Sequence, residues 1–282
     1  MNNNYILGCI DGASLTTAVC DYTAWLSDKT GAPVKLLHNL EHRPQAPLAD
    51  LSGSIGLGSQ EELLEELIKV EQHRSRLLME KGKLMLDAAR RRVEADGVSD
   101  IETWQRNGSL QETLVEHEEE IRVLVMGVRG DEHREGQLGA HLETVIRALH
   151  KPVLVVNKEF TAPKKVMLAY DGQDAAQKAL DMMVNSPLFK DISCHLVYVG
   201  EEQLGKDLLL SASSILAKAN IQHTTVCLQG RGDEVLCQYQ IDNEIDMTVM
   251  GAYSHHPLRN MLLGSFTAKM LQKNRQPLLL LR

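Results

Sequence analysis

The most constraining feature of this sequence is an internal duplication. Self-similarity within a chain of 282 residues, long enough for two ordinary domains, is typical of tandem copies of one folding unit. The sequence therefore predicts a first domain at residues 1–157, a linker KEFTAP at 158–163 and a second domain at 164–282. The repeated segments are YILGCIDG at 5–12 and VMLAYDG at 166–172, VMG at 125–127 and again at 249–251, and KPVLVV at 151–156 and QPLLLL at 276–281.

Each copy alternates short, nearly continuous apolar runs with helical patterns. This alternation predicts parallel sheets covered by helices on both faces, and right-handed crossovers then give two tandem doubly wound α/β domains, Rossmann-like, with five-stranded parallel sheets. The predicted strands are 5–10, 33–40, 100–106, 121–127 and 152–156, then 166–170, 192–199, 221–228, 247–251 and 277–281. The predicted helices are 14–29, 60–95, 110–117 and one from about 138, then 174–184, 203–219, 235–240 and one from 265.

The first copy is longer than the second, and the surplus lies in residues 41–97. A Pro/Gly-rich loop at 43–59 precedes the helix predicted at 60–95, which would be about 50 Å long and either bends near Gly82 or overhangs its sheet. The pattern predicts that its apolar stripe covers the sheet and that its distal end is solvated, with a docking surface for a partner helix as the alternative. The stripe comprises Leu63, Val70, Leu77 and Leu84, with Leu67, Leu78, Met85 and Ala88 beside them.

The second copy contains a candidate anion site between a strand and a helix. Gly251 ends an apolar run, and a loop then leads to Gly264 and Ser265, where a helical pattern begins. A glycine at the strand exit would allow positive φ and close approach of a ligand. The helix entrance would offer backbone N–H groups, a hydroxyl and the positive end of a helix dipole. These features predict phosphate binding rather than bond making.

The spacing of Gly251, Ser254 and Gly264-Ser265 resembles the G-x2-G-x9-G-[S/T] signature of nucleotide-binding universal stress proteins, with Ser254 at the second glycine. The order of five strands per unit, repeated in tandem, resembles a two-domain member of that family. The resemblance implies ATP or a related adenine nucleotide, with Mg²⁺ as a possible companion, in the second domain. The residues it implies are Asp171 beside adenine and ribose, the backbone of Val199 at the base, and Gly251, Ser254, Gly264, Ser265 and Thr267 around ribose and phosphates. Asp171 has an alternative role, in which its carboxylate caps its own turn or the following helix.

The resemblance also bears on assembly. In that family the last strand of each unit pairs across a dimer axis, so residues 152–156 and 277–281 are expected to pair with each other as an intramolecular pseudo-dimer. Such pairing would leave no long strand edge exposed at this position. A further homodimer is left open.

The first copy has a weaker version of the site. Asp11 corresponds to Asp171, and Gly127 and Gly130 fit the signature, but only eight residues lead to Gly139 and Ala140 replaces the hydroxyl. Acidic residues also lie in this loop, partly offset by basic neighbours. Since phosphate binding depends on matched donors, the sequence predicts a degenerate site here.

Composition excludes several functions. A net charge of −8 and a pI near 5.8 disfavour a non-specific nucleic-acid binder. The N-terminus lacks the pattern of a secretory signal and no apolar stretch is long enough for a membrane span, so a soluble, cytoplasmic protein is expected. The five cysteines are expected to be buried reduced thiols, and neither His38 with His42 nor His255 with His256 has a spacing that favours a metal site.

Catalytic motifs are missing from the sequence. It contains no P-loop, no nucleophile elbow and no carboxylate pair placed to activate water. With the resemblance, this favours a regulatory stress-response protein that binds an adenine nucleotide rather than a strongly catalytic enzyme. The alternatives are a weak ATPase that uses Asp171, and a scaffold or carrier whose first domain binds an apolar metabolite or a partner protein.

Overall fold

The computed structural model describes residues 4–41, 57–128, 140–252 and 265–282. The first half of the chain contains β1 (Tyr5–Cys9), α1 (Thr16–Thr30), β2 (Val34–Leu40), α2 (Leu57–Ala95), β3 (Ile101–Asn107), α3 (Leu110–Glu116), β4 (Ile121–Gly127), α4 (Ala140–Ala148) and β5 (Val153–Val156). The second contains β6 (Lys165–Ala169), α5 (Asp174–Asn185), β7 (Ser193–Val199), α6 (Glu202–Lys218), β8 (His223–Leu228), α7 (Gly232–Asp242), β9 (Met247–Gly251), α8 (Ser265–Lys273) and β10 (Leu278–Leu281). The predicted order of elements is confirmed, and the largest shifts of a boundary are in α2 and α7, which each begin three residues before their predicted starts at 60 and 235.

The strands form one continuous sheet rather than two separate ones. Its order is β3-β2-β1-β4-β5-β10-β9-β6-β7-β8. Pairing is parallel within each half, whereas β5 and β10 are antiparallel, with Leu154 opposite Leu279. The predicted pseudo-dimer is therefore confirmed, as a junction between two five-stranded parallel halves. Because β5 and β10 are antiparallel, the carboxyl ends of the strands in the first half point in the opposite direction from those in the second half.

Helices cover both faces of the sheet. Helices α1, α2, α5 and α6 pack on one face, and α3, α4, α7 and α8 pack on the other. Consecutive residues of the central strands alternate between the two cores; Ile6 belongs to one and Leu7 to the other, and both are almost fully buried. This two-sided burial explains why the strand sequences are continuously apolar.

The predicted linker is docked on the first half. The ring of Phe160 lies 4.8 Å from that of Tyr22 in an edge-on arrangement, and it also contacts Trp25. The Tyr22 hydroxyl donates a hydrogen bond to the carbonyl of Thr161. Aromatic contacts of this kind add stability beyond the area they bury, so the linker contributes to the core of α1.

Helix α2 confirms the predicted long helix with an exposed distal part. It is one continuous helix of 39 residues, about 58 Å long. Among its described side chains, those that pack on the sheet lie in its C-terminal part, and the carbonyl of Met79 accepts a hydrogen bond from Gln105 of β3. A Cβ at Gly82 would lie 2.4 Å from Gln105 Nε2 and 2.5 Å from His38 Cδ2, so this glycine allows the helix to approach β2 and β3 closely. The buried side chains beyond it are Leu86, Ala89 and Val93.

The predicted stripe does not cover the sheet: Val70 and Leu77 lie on turns that extend beyond it, and Leu84 and Ala88 lie on the outward face. Val70, Leu77 and Leu84 are 61%, 52% and 69% exposed, and Ala88 is also exposed. Among the stripe residues whose side chains are described, Met85 packs partly against the core. The face that packs uses smaller residues at spacings of three and four, whereas the more apolar seven-residue repeat lies on the outer face. Apolar content alone does not show which face of a long helix is covered.

Candidate functional site

Three strand ends of the second half meet at one edge of the sheet. Ala169 of β6 is paired with Met250 of β9 and with Val197 of β7. This register places Asp171, Val199 and Gly251 at neighbouring carboxyl ends. Chain connections leave β6 and β9 in opposite directions there, which is the topological switch point where ligands bind in open parallel sheets. Helix α8 begins at Ser265 on the connection that follows β9, while Ser254 and Gly264 lie outside the described residues.

Asp171 organises the turn that follows β6. Its Oδ1 accepts a hydrogen bond of 3.0 Å from the N–H of Gln173, and Gly172 has a φ of 76°. Asp11 in the first half makes the same contact with the N–H of Ala13 at 2.9 Å. The alternative role of Asp171, capping its own turn, is thus confirmed. The residue is exposed at the edge of the sheet, so this contact is compatible with a ligand role as well.

The structure gives Gly251 a packing role rather than the expected positive φ. Gly251 is the last residue of β9, paired with Leu281, and it does not have the positive φ that the sequence interpretation gave it. A Cβ at this position would lie 2.7 Å from the Cβ of Ala175 and 3.2 Å from backbone atoms of α5. The glycine therefore lets the first turn of α5 pack on the strand. The left-handed conformation occurs instead at Gly172 and Gly200.

A hydrogen bond from Thr267 connects the first turn of α8 to the residue that follows β9. The side chain of Thr267 is buried, and its hydroxyl donates a hydrogen bond of 2.5 Å to the carbonyl of Ala252. The N–H of Ala252 in turn bonds to the carbonyl of Leu281 at 2.7 Å. The corresponding residue of α4 is Leu142, which is buried in the apolar core. This geometry favours a positioning role for Thr267, and its direct contact with a ligand stays a prediction.

The entrance of α8 is suited to an anion. The first N–H groups of a helix have no partner within it, and they carry the positive end of its dipole. The first turn of α8 contains no acidic residue, and Lys269 follows it, whereas the first turn of α4 contains Glu143. The residues present in the second half therefore fit a phosphate group, and those of the first half fit it less well.

A carboxylate of the first half is bound where that half would receive an anion. Glu41, directly after β2, accepts a hydrogen bond of 3.2 Å from the N–H of Leu110, the first residue of α3. The same Oε1 lies 3.3 Å from Nδ1 of His141 in the first turn of α4. Glu41 thus connects two helix entrances of this half, a feature that the sequence interpretation missed. Of the other predicted residues, Gly127 ends β4, and Gly130 and Gly139 lie outside the described residues.

Cysteine and metal chemistry add no second site in the part of the chain that the structure describes. All five cysteines are free, as expected, and burial raises the pKa of the Cys20 and Cys194 thiols to about 12. Cys9, Cys227 and Cys237 are only partly buried, which corrects the expectation for these three. The described residues contain no group of three or more His, Cys, Asp or Glu that could hold a metal ion. Among them, too, no helix has the length and apolar character needed to cross a membrane.

Comparison with known proteins places this geometry in a family. The model of the universal stress protein family matches residues 3–157 and 163–282. Universal stress protein Slr1230 of Synechocystis sp. is 35% identical over 284 residues, which cover 98% of this chain and 99% of that relative. The crystal structure of a universal stress protein from Archaeoglobus fulgidus has a TM-score of 0.77 at 18% identity, covering 100% of this chain and 99% of that one. A universal stress protein crystallised with cAMP matches 43% of this chain and 98% of its own, with 17% identity and a TM-score of 0.38.

Proposed function

Because this chain belongs to the universal stress protein family, we propose that its second half, residues 164–282, binds an adenine nucleotide and that the protein acts by regulated binding rather than by strong catalysis. The observation that carries the proposal is the position of the α8 entrance. The Thr267–Ala252 hydrogen bond holds an N-terminal turn without acidic residues beside the exit of β9, one strand away from the Asp171 turn. A polyphosphate and a sugar would meet complementary groups at this edge.

Each predicted residue has a proposed task in that site. The entrance of α8, with Gly264 and Ser265, would bind phosphate oxygens, and Ser254 would add a hydroxyl. The exposed carboxylate of Asp171 would accept hydrogen bonds from ribose hydroxyls or the base. The backbone of Val199, at the end of the neighbouring strand, would contact the base. Gly251 supports the site indirectly, because it allows α5 to pack against the strand that leads into the loop.

The test is a pair of glycine variants at corresponding positions of the two halves. Titration calorimetry of the full chain with ATP, in the presence and absence of Mg²⁺, should show one site per chain. Gly264→Val should abolish or strongly weaken binding, because a branched side chain obstructs close approach of the backbone to phosphate. Gly139→Val, the matched control in the first half, should leave binding unchanged. Binding that survives Gly264→Val would refute the assigned loop.

Two further measurements define the ligand and the reaction. ADP, AMP and cAMP should be titrated beside ATP, cAMP being included because a universal stress protein has been crystallised with it. Release of inorganic phosphate from ATP should be measured with the same protein. Turnover comparable to that of a dedicated ATPase would contradict the regulatory role, whereas binding with little release supports it.

A further inference from the structure

The exposed apolar side chains of this molecule are concentrated on α2. Of the twelve large hydrophobic residues that are exposed in the described part of the chain, seven lie between residues 67 and 84. They are Leu67, Ile68, Val70, Leu77, Leu78, Met79 and Leu84. Scattered exposed hydrophobic residues are normal on protein surfaces, but a group on one face of a helix marks an interaction surface. Helical spacing places Leu67, Val70, Leu77, Leu78 and Leu84 on one face and Ile68 and Met79 on another. We call residues 65–81 the α2 overhang.

The overhang projects from the body of the protein. The carbonyl of Met79 accepts a hydrogen bond from Gln105 Nε2 of β3, and close packing on β2 and β3 begins at Gly82, near the carboxyl ends of these strands. The turns before Met79 extend beyond them. Residues 65–81 are exposed, with Ser75 half-buried. The segment from residue 57 to 81 extends about 37 Å. A helix of this length can therefore pair with another helix along most of its surface.

Charge along this part of α2 is segregated. Residues 61–71 contain five glutamates and one lysine, whereas residues 73–83 contain two arginines, two lysines and one glutamate. Some of these charges pair within the helix, such as Arg76 with Glu80 at 3.2 Å, but such exposed pairs contribute little. The segregation itself is self-complementary in one orientation. Two antiparallel copies place the acidic end of each helix beside the basic end of the other.

We propose that the α2 overhang is a self-association surface, which pairs antiparallel with the α2 overhang of a second copy of this chain. The seven-residue repeat fits this arrangement. When Val70 lies opposite Leu77 of the second copy, Leu77 lies opposite its Val70, and a two-fold axis passes between residues 73 and 74. The same patch then serves both copies, as a symmetric dimer requires. The bodies of the two copies then lie at opposite ends of the paired helices.

The α2 overhang is distinct from the strands β5 and β10, through which the two halves of one chain pair. The strands β5 and β10 already pair within one chain, so they are not available to a second copy. Dimerisation through α2 would therefore link two complete ten-stranded sheets. Electrostatic complementarity would select the antiparallel orientation, and the apolar stripe would supply most of the affinity.

The primary experiment measures the mass of the full chain by sedimentation velocity over a range of concentrations. The wild type should dimerise, and high salt should weaken the dimer by screening the complementary charges. The double variant Val70→Glu/Leu77→Glu should weaken dimerisation by roughly tenfold or more, because it places charges in the centre of the contact. Both positions are exposed, so the fold should persist, as circular dichroism will check. A wild type that stays monomeric, or a dimer unaffected by the double variant, overturns the proposal.

A matched control and a cross-linking test complete the design. Leu204→Glu/Leu210→Glu alters two exposed leucines of α6, which are 52% and 71% exposed, and should leave the dimer intact. Loss of the dimer in this control would overturn the assignment to α2.

The orientation of the two helices is tested by cross-linking. Arg74→Cys should form an intermolecular disulfide under mild oxidation, because residue 74 lies beside the two-fold axis. Leu84→Cys should not, since the two copies of that residue would be about 30 Å apart along the helices. Efficient cross-linking through Leu84→Cys would indicate a parallel pair and overturn the proposed arrangement.

Discussion

The hydroxyl of Thr267 donates a hydrogen bond of 2.5 Å to the carbonyl of Ala252, and this single contact joins the first turn of α8 to the exit of β9. The two residues stand on either side of residues 253–264, which lie outside the part of the chain that the structure describes. The bond therefore fixes both ends of the connection that holds the proposed phosphate loop. In the first half a buried leucine, Leu142, stands at the corresponding position.

Thr267→Val should destabilise the protein by about 1–3 kcal/mol, because it leaves a buried carbonyl without its donor. Thr267→Ser keeps the hydroxyl and should retain nucleotide binding. Urea denaturation and calorimetry with ATP measure the two effects. Thr225→Val, at an exposed threonine of β8, is the control and should change stability little. Equal stability of Thr267→Val and wild type would show that the bond does not support the loop.

Ala268→Glu should weaken ATP binding by about two- to fivefold, because a negative charge in the first turn of α8 would repel the negatively charged phosphate. The substitution gives α8 the acid that α4 has at Glu143. Ala268→Gln, which has the same size without the charge, is the control and should bind close to wild type. The difference between the two variants should shrink as salt is added. A Gln variant as weak as the Glu variant would point to a steric effect instead.

Asp233→Asn should destabilise the protein in a manner that depends on pH. Lys273 Nζ lies 2.6 Å from Asp233 Oδ2, and this hydrogen bond lowers the pKa of Asp233 below its ordinary value of 3.8. A lowered folded-state pKa gives stability that is present above the unfolded pKa and lost as pH falls through the folded one. The gap between wild type and variant in urea denaturation should therefore be largest at neutral pH and shrink below pH 3.8. Asp207→Asn, at an exposed position on α6, should show no comparable trend, and a gap that does not change with pH would exclude this linkage.

Gly82→Ala should destabilise the protein by about 1–3 kcal/mol, because its Cβ would overlap Gln105 and His38. Truncation of the glutamine in Gly82→Ala/Gln105→Ala should recover part of the loss, and a double-mutant cycle measures the coupling. Lys83→Ala, at the exposed neighbour, should have little effect. An unchanged stability of Gly82→Ala would show that α2 can move away from the sheet edge at no cost.

Some parts of this structure could be predicted from sequence because they depend on local repetition. The strand at residues 5–9 and its counterpart at 165–169 have the same apolar run and the same Asp-Gly turn, so their equivalence was visible. The pairing of Val153–Val156 with Leu278–Leu281 followed from the family resemblance and is confirmed.

Other parts depend on contacts between segments that are distant in sequence. The role of Gly251 comes from Ala175 of another element, and the Thr267–Ala252 bond joins residues on either side of a loop. The contact of Glu41 with Leu110 and His141 brings together three separate segments. In α2, both faces carry apolar residues, and the face that packs is the one on which Gly82 lies against His38 and Gln105. The contacts of Gly251, Thr267 and Glu41 leave no periodic signal in the sequence, and in α2 the periodic signal occurs on more than one face.

The antiparallel junction between β5 and β10 makes the two halves interdependent. Each contributes a short strand whose backbone N–H and C=O groups are satisfied by the other, and separation would expose an apolar strand edge on each half. A cut in the linker should therefore leave the two fragments associated. Either fragment produced alone should form a homodimer, in which its exposed strand pairs with the same strand of another copy.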